Sequence, residues 1–163
     1  MKLTLLLIHA CLAALTLLPP AAAAKGGIGE VFAALLQKVT GQITADTLSD
    51  PRQVEGLLRQ VADQVNQTTP VSVDKDTRLE NIIAGPGARF TYNYTIITRH
   101  SKEINHLHLM NVLRKNVKSQ ACSNEDLRIF FQNKVTIGYS YKSSDSVHIG
   151  TLEVTPQDCG HAA

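Results

Sequence analysis

The chain has 163 residues, 44% hydrophobic and 18% charged, with a formal charge of +2. This is the composition of one ordinary globular domain, and it excludes a Cys-dense scaffold, a long disordered tract and a strongly basic nucleic-acid binder. Aromatic residues make up 5% and Trp is absent, which argues against a stacking platform for single-stranded nucleic acid.

Residues 1–24 read as an export leader. Lys2 gives a positive start, Leu3 to Leu18 is an apolar run, Pro19-Pro20 ends any helix, and Ala22-Ala23-Ala24 supplies small residues for a peptidase. The run is shorter than the roughly 20 residues a bilayer span needs, so cleavage after Ala24 with no integral membrane span left is the expectation. From Ile28 the residues Val31, Phe32, Leu35, Leu36, Val39 and Ile43 form one stripe at helical spacing. Residues 25–50 are therefore expected as an amphipathic helix and linker. Ile28, Phe32, Leu35 and Val39 offer a surface for self-association or for a protein partner.

Residues 51–163 are expected as the folded domain. Asp50 is a good N-cap, Pro51 suits the first helical position, and Val54, Leu57, Leu58, Val61 and Val65 continue a helix that Thr68-Thr69-Pro70 stops. Val71 and Val73 alternate with polar residues, and Thr77 to Ile83 reads as a strand. Gly85-Pro86-Gly87 is a turn, and Phe90, Tyr92, Tyr94 and Ile96 mark one face of the next strand. Arg99 to Glu103 reads as a loop. Leu109, Met110, Leu113, Val117 and Ala121 form a second helical stripe, with Ile104 to His108 open to helix or strand. Ser123-Asn124-Glu125-Asp126 has the pattern of a capping box before a short helix carrying Leu127, Phe130 and Phe131. Val135 to Tyr141 and Val147 to Thr155 then form a hairpin. The expected fold is α+β: a four-stranded antiparallel sheet with helices on one face, in the order α-α-β-β-α-α-β-β. FTYNYT and IGYSYK echo one another and hint at a duplicated unit.

Loss of the leader removes Cys11 and leaves Cys122 and Cys159. In an oxidising compartment two cysteines read as one disulfide; two free thiols, or a metal pair with a histidine, are the rival readings. His100, His106, His108, His148 and His161 show no metal-ligand spacing, so no metal and no cofactor are expected. Asp74, Asp76 and His148 are the only set on which a hydrolytic enzyme reading would centre, and no nucleophile elbow, P-loop or dinucleotide fingerprint accompanies them. Tyr92, Tyr94, Tyr139 and Tyr141 lie in same-face pairs on two strands. They form a candidate binding face, or else a core face whose hydroxyls reach the rim.

DKDTRL (Asp74 to Leu79), AGPGARFTYNYT (Ala84 to Thr95), FFQNKVTIGYSY (Phe130 to Tyr141) and IGTLEVTPQDCG (Ile149 to Gly160) resemble a group of small exported bacterial proteins of unassigned function. The resemblance implies a periplasmic or secreted bacterial protein and supports pairing Cys122 with Cys159. It brings no reaction and no catalytic residue. The reading that follows is an exported binding or protein-interaction module.

Overall fold

The Asp50 carboxylate accepts the Arg52 N–H at 2.9 Å, and Pro51 takes the first helical position, where no amide partner is needed; α1 then runs Pro51–Asn66. Val54, Leu58, Val61 and Val65 are its buried stripe. The structure, a computed structural model, describes residues 50–162; the expected leader 1–24 and the expected amphipathic helix at 28–43 lie outside the described residues.

Beyond α1 come β1 (Val71–Ser72), β2 (Thr77–Gly85), β3 (Arg89–Ile96), a 3-10 turn at Ser101–Glu103, α2 (His106–Ser123) and α3 (Glu125–Gln132). β4 (Thr136–Ser143), β5 (His148–Val154) and a 3-10 turn at Gln157–Cys159 complete the described chain. Asn105 caps α2, its side-chain oxygen accepting the His108 N–H at 3.0 Å. That settles Ile104 to His108 in favour of helix from His106 onward. Asn124, not Ser123, caps α3, taking the Asp126 N–H at 2.8 Å while Ser123 closes α2.

The α+β class stands, but the sheet differs from expectation in two ways. It has five strands in the order β1-β2-β3-β4-β5, and β3 pairs with β4 in parallel while every other pair is antiparallel. β1 is two residues long, too short for alternation to announce it as a strand. The parallel pair has a topological cause. β3 and β4 are joined not by a hairpin but through α2 and α3, and a crossover of that length carries the chain back to the end of the sheet at which β3 began.

One sheet face carries Leu79, Ile82, Phe90, Tyr92, Ile137, Tyr141, Leu152 and Val154, all buried. The three helices among the described residues are on this side. α1 packs chiefly over β2 and α2 over β5, while Phe130 of α3 stacks on Phe90 with ring centroids 5.7 Å apart. β3 and β4 therefore run beneath the interval between α1 and α2. The outer edge of β2 is closed by β1 and then by a side chain: Asn66 donates to the Ile82 carbonyl at 2.8 Å and accepts the Ile82 N–H at 2.7 Å. An amide side chain here takes the place of a neighbouring strand.

The far end of the chain is anchored twice. Cys122, in the last turn of α2, is bridged to Cys159 with Cα atoms 5.0 Å apart. One helical turn earlier, Lys118 Nζ meets Asp158 Oδ1 at 2.7 Å, and Asp158 Oδ2 accepts the Thr155 N–H and hydroxyl, both at 2.9 Å. Lys118 and the Thr155 N–H hold the Asp158 carboxyl at about 2.

Three expectations follow. A Cβ on Gly138 would lie 2.7 Å from Oγ1 of Thr91, its parallel partner, so Gly138→Val should lower stability by about 1–3 kcal/mol, and Thr91→Ala should recover part of the loss in denaturant melts. Replacing both cysteines with Ser opens a closure spanning 37 positions and should cost about 4 kcal/mol in the same assay. The folded-state pKa of Asp158 is depressed, so its contribution to stability is present above about pH 4 and fades as pH falls toward about 2; Asp158→Asn should flatten the Tm–pH profile in that window.

Candidate functional site

The in-register parallel pairing brings the four tyrosines together. Tyr92 lies opposite Tyr139 and Tyr94 opposite Tyr141, with ring centroids 5.5 and 5.4 Å apart and planes within 12° and 20°. Tyr92 and Tyr94 are stacked along β3 at 6.3 Å. Tyr92 and Tyr141 are buried; Tyr94 and Tyr139 are half-buried. Burial raises all four hydroxyl pKa values, that of Tyr141 to about 12, and neighbouring tyrosines push those of Tyr92, Tyr94 and Tyr139 further. At neutral pH the row is uncharged. It can pack and donate hydrogen bonds, but it holds no base.

The hydrolytic set does not assemble. Asp74 Oδ1 accepts the N–H groups of Asp76 and Thr77 at 2.7 and 2.8 Å, closing its own turn before β2. Asp76 Oδ1 accepts the Thr98 hydroxyl at 3.0 Å. His148 stands at the same end of the sheet but on β5, three strands from β2, which at ordinary strand spacing is roughly 14 Å. The remaining histidines are dispersed. His106 and His108 are in the first turn of α2, His161 stacks on Phe131 at 6.3 Å, and His100 Nδ1 is 3.2 Å from Asp145 Oδ2. Among the described residues no three metal-ligating side chains converge.

Asp145 is the hub of a cluster the sequence reading missed. It accepts the Ser143 hydroxyl at 2.6 Å, the Ser101 hydroxyl at 2.7 Å and the Ser101 N–H at 2.9 Å. The Ser143 and Ser101 hydroxyls hold its carboxyl far below the usual carboxylate range. Serine, histidine and aspartate are all present, yet Ser101 and His100 both bond the carboxylate rather than each other. No base therefore activates a hydroxyl. The cluster is a latch between the β3–α2 connection and the β4–β5 turn.

Among the described residues, a concave surface lies on the face away from the helices. Two bulges shape it. Glu80 is the extra residue of β2, between the pairs Leu79–Tyr94 and Asn81–Asn93. Ile149 is the extra residue of β5, between Tyr141–Gly150 and Lys142–His148, and it sets Lys142 beside His148. Between these bulges lies an open concavity of about 310 Å³, to which β2 gives Glu80, Asn81 and Ile83, β3 gives Asn93 and Tyr94, β4 gives Ser140 and Lys142, and the last hairpin gives Ser146 and His148. Asn93 donates to Asn81 at 2.7 Å across its floor. Burial pulls the Glu80 carboxyl up, but the Thr95 hydroxyl, Arg78 and Lys142 outweigh it and keep the group ionised. Arg78 already neutralises Glu80 at 2.8 Å. Lys142 thus supplies the positive charge at the concavity, with His148 beside it and Ile83, 55% exposed, at its apolar margin. The sequence reading passed over Lys142 because a lone lysine at a strand end carries no motif.

No family model and no curated protein matches the chain. Solved structures do. A Pseudomonas aeruginosa protein assigned as secreted superposes with a TM-score of 0.59 at 16% identity, covering 67% of this chain and 95% of that one. The type 2 secretion system pilotin EpsS of Vibrio vulnificus gives 0.55 at 15% identity, over 67% of this chain and 94% of its own. The type II secretion system pilotin AspS of Vibrio cholerae gives 0.52 at 15% identity, with the same coverage of 67% and 94%. At such identities the likeness establishes the fold alone: this α+β domain is similar in architecture to two secretion-system pilotins and a protein assigned as secreted.

Proposed function

We propose that the protein is an exported, periplasmic or secreted protein-interaction module without a catalytic role, and that the concavity on the open sheet face receives an acidic, extended segment of its partner. The observation that carries this reading is the concavity itself, bounded by two strand bulges and furnished with Lys142, His148, Ser140 and Asn93. Lys142 attracts a carboxylate, hydroxyl and amide groups orient it, and Ile83 offers an apolar contact at the margin. The architecture shared with two pilotins and the leader at residues 1–24 support export and interaction with another protein. A single disulfide and no converging metal ligands among the described residues suit a rigid binding surface.

The test is titration of the isotopically labelled chain with acidic decapeptides of extended design, followed by amide chemical shifts. Shifts should centre on Ser140, Lys142, Ser146 and His148, and Lys142→Glu should weaken binding about tenfold at low salt, equivalent to about 1.4 kcal/mol. Binding that ignores Lys142→Glu, or shifts confined to the helical side, would overturn the assignment.

A further inference from the structure

The two borders of the sheet differ. On the β2 side, β1 and the Asn66 amide occupy the main chain. On the other side β5 pairs with β4 alone, and none of its main-chain groups bonds elsewhere among the described residues. We propose that this border receives an extended segment of a partner protein as a sixth, antiparallel strand, and that the segment carries an acidic side chain for Arg114 of α2, followed by an apolar one for Leu107. The site lies beside the concavity and does not depend on what the concavity holds.

The strand is the first argument. The Ile149 bulge precedes residues 150–154, which pair with β4 in unbroken register. Sheet borders are ordinarily blunted by Pro, by Lys or by a free charge. Residues 150–154 hold no Pro and no Lys, and their one carboxylate, Glu153, is bonded by Arg89. A partner therefore meets main-chain donors and acceptors, the groups that strand addition uses.

The cover is the second. α2 packs over β5 through Met110, whose Cε would lie 2.7 Å from a Cβ on Gly150. Leu109 and Leu113 are half-buried against the core, which leaves Leu107, Asn111, Arg114 and Lys118 in one row on the flank beyond β5. Lys118 meets Asp158, past the end of β5, so helix and strand run in the same direction. At about 1.5 Å of rise per helical residue and about 3.3 Å per strand residue, Arg114 stands level with Leu152, and Leu107 with the start of the strand. Leu107 is 80% exposed, more than any other large hydrophobic side chain among the described residues. A strand added beneath that flank would cover it.

Charge is the third. α2 has 18 residues and no Asp or Glu. Arg114 and Lys115 are exposed and make no ion pair among the described residues. A second copy paired through β5 would bring α2 toward α2, cation toward cation, whereas an acidic strand brings the opposite sign.

The experiment follows hydrogen exchange of the β5 amides in the labelled chain. The probe is a β-forming decapeptide with one Asp and, two positions after it, one Val. Its binding should slow exchange at alternate amides of residues 150–154. N-methylation along one edge of the peptide should abolish the effect, and N-methylation along the other edge should preserve it. Arg114→Glu, on an exposed helical position, should weaken binding about fivefold at low salt. Binding indifferent to Arg114→Glu, or to N-methylation of either edge, would overturn the proposal. So would shifts gathered at Ser140 and Lys142 with β5 exchange unchanged, which would report the concavity alone. Slow exchange already present in the free chain would also refute it: persisting on dilution, it assigns the border to another segment of this chain; lost on dilution, to a second copy.

Discussion

Parallel pairing of β3 with β4 is the constraint from which the rest of the domain follows. It joins two antiparallel halves, β1-β2-β3 and β4-β5, at the middle of one sheet. Because the register sets Arg89 beside Thr136 and runs unbroken to Ile96 beside Ser143, it places Tyr92 beside Tyr139 and Tyr94 beside Tyr141. The tyrosine stack is thus a consequence of strand register and not of side chains finding one another. The crossover that makes the pairing parallel also carries α2 and α3, so the sheet and its helical cover are specified together.

The two faces then diverge in chemistry. On the helical side, burial keeps aromatic hydroxyls protonated and favours close apolar packing. On the other side, polar strand residues remain accessible, and two bulges interrupt the pleat on the outer pairs. A regular ladder would place Ile149 opposite Lys142; the bulge puts His148 there instead. One inserted residue in each of two strands accounts for the shape of the concavity.

Much of this was legible from the chain alone. Asp50 and Pro51 announced α1, the alternation from Phe90 to Ile96 announced β3, and Cys122 with Cys159 announced the bridge. The FTYNYT and IGYSYK echo was also present, and it marks the very strands that pair. What periodicity could not convey was direction: an alternating strand looks the same whether its neighbour runs with it or against it. The bulges at Glu80 and Ile149 were equally silent, since nothing local distinguishes an extra residue from a regular one. Asp145 escaped notice because its partners, Ser101 and His100, are more than forty positions away and carry no motif.

The Asn66 amide has a consequence for assembly. By saturating both main-chain groups of Ile82 it denies the β2 side to an incoming strand, and β1 closes the stretch beside it. Among the described residues, β5 is then the longer lateral border of the sheet, and β1 at the other border has two residues. Two copies meeting through β5 would satisfy each other about a twofold axis, and the short β1 with the Asn66 amide beside it offers little at the opposite border to recruit a third.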